Sequence, residues 1–526
     1  MDYYFRKMKI LKNKIAIGIF ASIICLFGTG CEKFLGTTSE DFYTPDEYYE
    51  TEAQLNTALL GVYDPLGSTD LYSYNISSFW GTEADEGYYA RSTGDGPQVY
   101  DYTSAHTRIR TPWQKLYQGI HRANLLLASA HKPDMSESSR NVIIGEAQFL
   151  RAFYYFILVS NWGDVPLVLD PTKEPTGNNV ARTPAREVYD FIFEEMKEAE
   201  RKVRTIQAIG HSGRVSKSAV QGVLARVCLY MAGYPLMDVD KYHDARYWAA
   251  EVMKSSHALN PDYKQIFINY ARDEYDIGES IWEVEFWGTG AGTYREAGWV
   301  GVRLGIATTN TTLGHSYGII RTTEKYYRLF ETGDLRRDWT IAPYRYNGTS
   351  KVNHGATEIY VRDIGKWRRE YELDKSTSLS AQNFPLLRYS DVLLMFAEAD
   401  IMASNAAPSP EAEEAFNQVR RRAFGLPPTT PGSDQDVSGM NHDDFLALIK
   451  DERSRELGFE GLRKYDLIRW GDFLKVMSDM EIDISTSNAP VYASRAFQNV
   501  QPKHLLFPIP VREMALNRLL TQNPEW

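Results

Sequence analysis

The 526-residue chain has only three cysteines, Cys25, Cys31 and Cys228. Cys25 lies inside an apolar leader and Cys31 at its end, so Cys228 alone is left for the folded body, where no internal disulfide can form. Cys228 sits in the apolar-rich stretch VLARVCLY and reads as a small core residue. Beyond residue 30 no uncharged apolar stretch approaches the roughly 20 residues needed to cross a bilayer. Mean hydropathy is negative, and together these exclude an integral helical membrane protein. There is no basic block: without residues 1–30 the chain carries 53 basic and 68 acidic residues, a net charge of −15. That balance argues against nucleic acid and against anionic lipid headgroups as partners. The ten histidines show no H-E-x-x-H spacing, and C-x-x-C and Walker loops are absent. Gly288-Thr289-Gly290-Ala291-Gly292 lacks the spacing of a dinucleotide fingerprint. No long Pro/Ser/Gly linker divides the chain, which predicts one domain over residues 31–526.

What is present begins with an address. Arg6, Lys7, Lys9, Lys12 and Lys14 form a basic region and Ile15 to Phe27 an uncharged run of 13 residues, the pattern of an export signal over residues 1–30. Gly28-Thr29-Gly30-Cys31 resembles a bacterial lipoprotein cleavage box, with Gly28 where Leu is usual. Cys31 is then the expected lipid attachment site, since its thiol becomes the atom that accepts the diacylglycerol. Two kinds of acyl anchor together hold a protein stably at a membrane.

Helix starts are marked by Thr-Pro. Thr44-Pro45-Asp46-Glu47 and Thr111-Pro112-Trp113-Gln114 have the form of capping boxes with Pro at the first helical position, and Thr183-Pro184 opens a third helix. Apolar periodicity predicts helices near 45–64, 112–130, 138–160, 184–204, 216–233, 241–255, 390–404, 410–424 and 442–457. Several form adjacent pairs, with Ala225, Ala232, Ala249, Ala250, Ala397 and Ala399 where helices would cross closely. The fold class expected is mainly α: a tetratricopeptide-like helical-repeat scaffold over about 40–257 and 389–526, bearing a loop-rich, partly β lobe over about 258–388. Ser280 to Phe286 alternates like an edge strand. Long excursions between scaffold helices usually have work to do, so this lobe and the stretch Leu71 to Tyr102 are the candidate functional regions.

Gly314-His315-Ser316-Tyr317-Gly318 has the G-x-S-x-G form of a nucleophile elbow, and a serine hydrolase using Ser316 is one reading. An elbow follows an apolar strand, however, and TTNTT is not one. Glu83, Asp85 and Glu86 offer the oxygen ligands of a Ca²⁺ site; a solvated acidic loop is the alternative reading, and no other cofactor is implied. Two carboxylates among so many would suffice for a glycosidase. A sugar-binding surface needs flat aromatic rings for pyranose C–H faces beside amides, carboxylates and Arg for hydroxyls. The 34 Tyr and 11 Trp supply such rings. Trp80, Tyr89, Trp287, Tyr294, Trp299 and Tyr317 are the candidate stacking residues, and Glu83, Asp85 and Arg91 the candidate hydroxyl readers. Each aromatic has a core role as its alternative; Gly-flanked loop positions favour exposure.

Cys31 to Leu35, AQLNTALLGVY (53–63), WQKLYQGIHRANLLL (113–127), Gly145 to Val168, Gly213 to Tyr230, LRYSDVLLMFAEA (387–399), ERSRELGFEGLRKYDLIRWG (452–471) and Leu506 to Trp526 resemble the SusD/RagB family of Bacteroidetes outer-membrane nutrient-binding lipoproteins. The resemblance implies a non-catalytic protein on a tetratricopeptide-type scaffold. It implies a SusC-like TonB-dependent transporter as partner, an oligosaccharide ligand with peptide as the alternative, and a lipid-anchored position on the outer membrane facing the exterior. It also implies that Arg453, Glu456, Glu460, Arg463, Asp466 and Arg469 are structural ion pairs.

Overall fold

The computed structural model describes residues 48–80, 84–172, 179–287, 297–375 and 379–526, together with residues 4, 6–9 and 12. The chain divides into two compact units, Met1–Glu50 and Thr51–Trp526. Residues 4, 6–9 and 12 of the first are helical; Cys31, its cleavage box and Thr44-Pro45 lie outside the described residues.

The second unit is mainly helical with small β elements. Its principal helices are α1 (Glu52–Tyr63), α2 (Thr107–Ser129), α3 (Glu137–Trp162), α4 (Ala185–Glu200), α5 (Lys217–Ala232), α6 (Lys241–Met253), α7 (Tyr263–Arg272), α8 (Tyr389–Ser404), α9 (Pro410–Ala423), α10 (His442–Leu457), α11 (Arg463–Arg469) and α12 (Phe473–Ser485). Each of α1 to α5 packs on its successor in that row, α5 packs on α6, α6 on α8, and α8 on both α9 and α10. All nine predicted helices are present. Ala225, Ala249, Ala397 and Ala399 are fully buried within α5, α6 and α8, where a small side chain allows close approach. A Cβ on Gly119 of α2 would lie 2.4 Å from the Tyr154 ring of α3.

Of the three Thr-Pro starts, Thr44-Pro45 lies outside the described residues, the second is corrected, and the third holds, since α4 opens at Ala185 directly after Thr183-Pro184. Helix α1 begins later than predicted, and its capping box is made by Thr51 and Gln54. Helix α2 begins five residues earlier than Pro112, which stands inside it; the cap is His106, whose Nδ1 accepts from the Arg108 amide at 3.1 Å. Thr183 pairs with Val165 in a β-bridge, and the Ala185 amide at the start of α4 donates to Asp164 Oδ1 at 2.7 Å. Pro112 stands in the second turn and cannot donate to the Arg108 carbonyl, which accepts from Trp80 Nε1 at 3.2 Å instead. Helix α3 is long and apolar enough to cross a membrane by length and composition, but 83% of its most apolar window is buried inside the protein, which makes it the central core helix.

Among the described residues there are three antiparallel strand pairs: β1 (Gly87–Tyr89) with β3 (Ile320–Thr322), β2 (Ser280–Val284) with β6 (Phe384–Arg388), and β4 (Tyr344–Asn347) with β5 (Ser350–Asn353). The β1–β3 pair joins the two stretches singled out as functional. The strand expected to alternate, β2, is buried at all five positions, and its Glu283 accepts from Ser212, Ser280 and Asn383. Helix α7, within the predicted loop-rich lobe, was not expected. Its stripe of Tyr263, Ile266, Phe267 and Tyr270 lies on a helix only ten residues long, capped by the Asp262 side chain.

Charge networks knit the later helices together. Glu456 of α10 meets Arg422 of α9 at 2.7 Å, Arg388 at 2.9 Å and Arg336 at 3.2 Å. Around it Glu452 binds Arg336, Glu279 binds Arg388 and Arg422, and Glu460 binds Arg388 and Lys366. Burial alone would raise the Glu456 pKa, but the three arginines hold it well below the usual carboxylate range. In a second network Asp391 of α8 takes Arg226 of α5 and Arg453 of α10, and Asp466 of α11 takes Arg453 and Arg469. Arg463 chelates Asp85 at 2.8 and 3.0 Å. All six residues expected to form structural ion pairs do so.

Trp80 belongs to the core. It is 0% exposed, its ring packs on Trp162 and Phe507 with centroids 5.5 and 4.7 Å away, and its Nε1 donates to the Arg108 carbonyl at 3.2 Å. Trp80→Ala should therefore cost about 3–5 kcal/mol of stability, measured by chemical denaturation. Glu456→Gln should cost a similar amount, about 3–5 kcal/mol, because it leaves buried guanidinium groups under-compensated. Burial pushes the Glu283 carboxyl up to about 7 from 4.5. A raised carboxylate pKa stabilises the folded state below the unfolded value and loses that contribution as pH rises through 7. Relative to Glu283→Gln, whose side chain does not titrate, the wild type should lose about 3 kcal/mol between pH 4.5 and 8. Denaturation curves at the two pH values check the sign.

Candidate functional site

The two non-helical stretches meet the N-terminus of α2 at an open cleft of about 800 Å³. Thr69, Asp70, Tyr74 and Asn75 supply one wall, Asp95 and Ala105 to Arg108 another, and Trp299, Arg303 and Tyr317 a third. The backbone places the rings. The Trp299 amide donates to the Ser73 carbonyl at 3.1 Å and the Tyr317 amide to the Val302 carbonyl at 2.7 Å. Arg91 grips the carbonyls of Tyr317 at 2.5 Å and Gly318 at 3.3 Å.

Tyr74 and Trp299 meet edge to face with centroids 5.7 Å apart, and Tyr317 is 42% exposed. The Arg303 guanidinium lies 5.0 Å from the Tyr74 centroid, 5.1 Å from Tyr317 and 5.4 Å from Phe79. Arg108 sits 3.9 Å over Phe79. Two polar atoms beside the cleft, Arg303 Nε and Thr111 Oγ1, are buried without a hydrogen-bond partner. Burial lowers the pKa of His106, against the pull of Asp95 3.8 Å away. The cleft thus offers flat apolar faces, amide and hydroxyl groups and two guanidinium groups within one open space.

Of the residues picked from the sequence, the cleft brings together Trp299 and Tyr317, with Arg91 behind Tyr317. Tyr89 is half-buried, its ring centroid 6.4 Å from Phe79. Trp287 is 58% exposed and is not part of the cleft wall. Trp80 leaves the set because it is core. Asp85 leaves it because it is buried against Arg463 and Lys325; burial would raise its pKa, but these cations bring it down to about 2. Glu83 and Tyr294 lie outside the described residues. Sequence reasoning missed Tyr74, Asn75, His106, Arg108 and Arg303. Tyr74 and Asn75 fall inside the stretch Leu71 to Tyr102 already singled out; Arg303 left a weaker signal, a lone charge in the apolar turn VGVRL.

The G-x-S-x-G spacing has a structural cause. Gly314 and Gly318 take positive φ, +89° and +53°, and a Cβ on either would meet Arg369 or Ala307 at 2.8 Å. Ser316 is buried and its hydroxyl donates to the Val302 carbonyl at 3.2 Å, so it is held as a structural side chain and the nucleophile reading falls. Asp85 and Glu86 do not fit a Ca²⁺ site, since Glu86 accepts from Ser454 Oγ and the Phe459 amide. Among the described residues no group of three or more His, Cys, Asp or Glu could hold a metal ion. A more enclosed cavity of about 300 Å³, lined by Tyr189, Tyr230, Tyr234 and Leu506, offers few groups to orient a hydrophilic ligand.

Residues 33–229 match a family model described as starch-binding associating with outer membrane, and residues 335–526 match the SusD family model. SusD-like protein P25 of Formosa agariphila is 24% identical over 98% of each chain. The starch-binding protein SusD of Bacteroides thetaiotaomicron is 23% identical over 82% of this chain and 81% of its own. Among solved structures, a SusD homolog from Bacteroides thetaiotaomicron superposes with TM-score 0.82 at 27% identity, covering 92% of this chain and 98% of that one. A laminarin-binding SusD-like protein gives TM-score 0.71 at 25% identity, covering 91% and 100%. With both of its family models placed in order along one helical body of the same fold, the chain belongs to the SusD/RagB family.

Proposed function

We propose that the protein is a lipid-anchored, cell-surface glycan-binding protein that hands oligosaccharide to a SusC-like TonB-dependent transporter. The observation that carries this reading is the cleft in which Tyr74, Trp299 and Tyr317 stand beside the amide of Asn75, the hydroxyl of Thr107 and the guanidinium groups of Arg108 and Arg303. Pyranose rings bury their C–H faces on such rings while hydroxyls take directional bonds from the walls. The paired helices would serve as a tetratricopeptide-type scaffold that keeps the cleft rigid, and Cys31 would tether the unit on the outward face of the outer membrane. Tethering keeps the cleft at high effective concentration beside a pore. The laminarin-binding relative and the starch-binding SusD supply the ligand class by analogy. Nothing in this arrangement performs chemistry on the ligand; it holds and releases.

Calorimetry on the full chain in detergent, against neutral and charged oligosaccharides and against peptides, tests the reading. Trp299→Ala and Tyr317→Ala should each weaken the bound glycan about tenfold, or roughly 1.4 kcal/mol, with the unfolding midpoint unchanged. Binding of peptides alone, or glycan binding indifferent to both variants, would falsify it.

A further inference from the structure

Arginines of two kinds occur in this protein: some face carboxylates, and others, Arg362 and Arg368 as well as those of the cleft, lie on main-chain carbonyls and aromatic rings. In the scaffold each buried guanidinium of Arg336, Arg388, Arg422 and Arg453 faces at least one carboxylate at 2.7 to 3.3 Å. Arg303 faces none among the described residues, and its Nε donates to nothing. Arg108 gives one N–H to the Asp95 carbonyl at 3.2 Å and otherwise lies on Phe79. Arg91 spends its donors on three main-chain carbonyls. Carbonyl dipoles and ring quadrupoles do not neutralise a full charge. Burial depresses the Arg303 pKa, and the nearby charge of Arg108 adds to that.

We infer that the cleft selects an anionic oligosaccharide, one carrying carboxylate or sulfate groups, with its anion seated between Arg303 and Arg108. This rests on the glycan-binding reading above and narrows its substrate class. A planar guanidinium matches the paired oxygens of a carboxylate or sulfate, and an anion relieves the repulsion between two neighbouring cations where a neutral hydroxyl does not. The N-terminus of the 23-residue helix α2 opens on the same wall and adds its positive dipole end. Two carboxylates oppose it. Asp95 faces His106, and its side chain is 72% exposed and therefore hydrated; Asp70 lines the wall beside Tyr74. Asp95, next to Arg108, favours the Arg303 side for the anion. His106, its pKa lowered by burial, adds no charge at neutral pH.

The test compares oligogalacturonides, sulfated galactan oligosaccharides and neutral galactan and laminarin fragments, titrated into the full chain in detergent at 50 and 500 mM NaCl. One anionic class should bind, weaken with salt, and lose about tenfold or more in Arg303→Gln but less in Arg303→Lys. Which class binds tells carboxylate from sulfate. Carboxyl-reduced or desulfated ligand should lose the same affinity on the unaltered protein, which keeps the test independent of any folding defect. Salt-independent binding of neutral glycans alone, indifferent to Arg303→Gln, overturns the inference and leaves the glycan reading standing. No binding of any glycan removes both.

Discussion

The fold turns on a carboxylate in the wrong place for an isolated charge. Glu456 is fully buried and would be costly there alone; three arginines from different parts of the chain converge on it. Its main-chain carbonyl is used as fully as its side chain, accepting from Lys366 and from Tyr263 Oη. One residue of α10 therefore ties α7, α9, the lead-in to α8 and two loops of the lobe at one point. The early helices, by contrast, pack chiefly through apolar faces, with α3 at their centre. The later half is joined by charge because its elements include short helices and loops whose apolar area is too small to specify their mutual placement.

Which features could be read from the sequence follows from this division. The nine long helices were legible because each has an apolar stripe several turns long. Their starts were legible to within one residue except at α1 and α2, whose caps Thr51 and His106 lie away from the Thr-Pro pairs. Arg453, Arg463, Asp466 and Arg469 were legible as structural through the family resemblance; that Asp85 is the partner of Arg463 was not, the two being 378 residues apart. The same distance explains why Asp85 looked like a ligand reader.

The cleft was legible as a region and only partly as residues. Flanking glycines pointed to Tyr317 and Trp299, and both line the cleft. The same signal misled at Trp80, where Trp162 and Phe507 arrive from elsewhere in the chain to cover the ring. His106 and Arg108 escaped because they sit in a first helical turn that the Thr-Pro signal placed too late.

The way the cleft holds its aromatic residues has a further consequence. Trp299 and Tyr317 are positioned by their own amides, and the carbonyl of Tyr317 is clamped by Arg91. None of these bonds involves the ring. Side chains at 299 and 317 can therefore be exchanged over evolution while the loop conformation stays put, so that new ligand preferences arise by substitution at the surface without renegotiating the fold beneath.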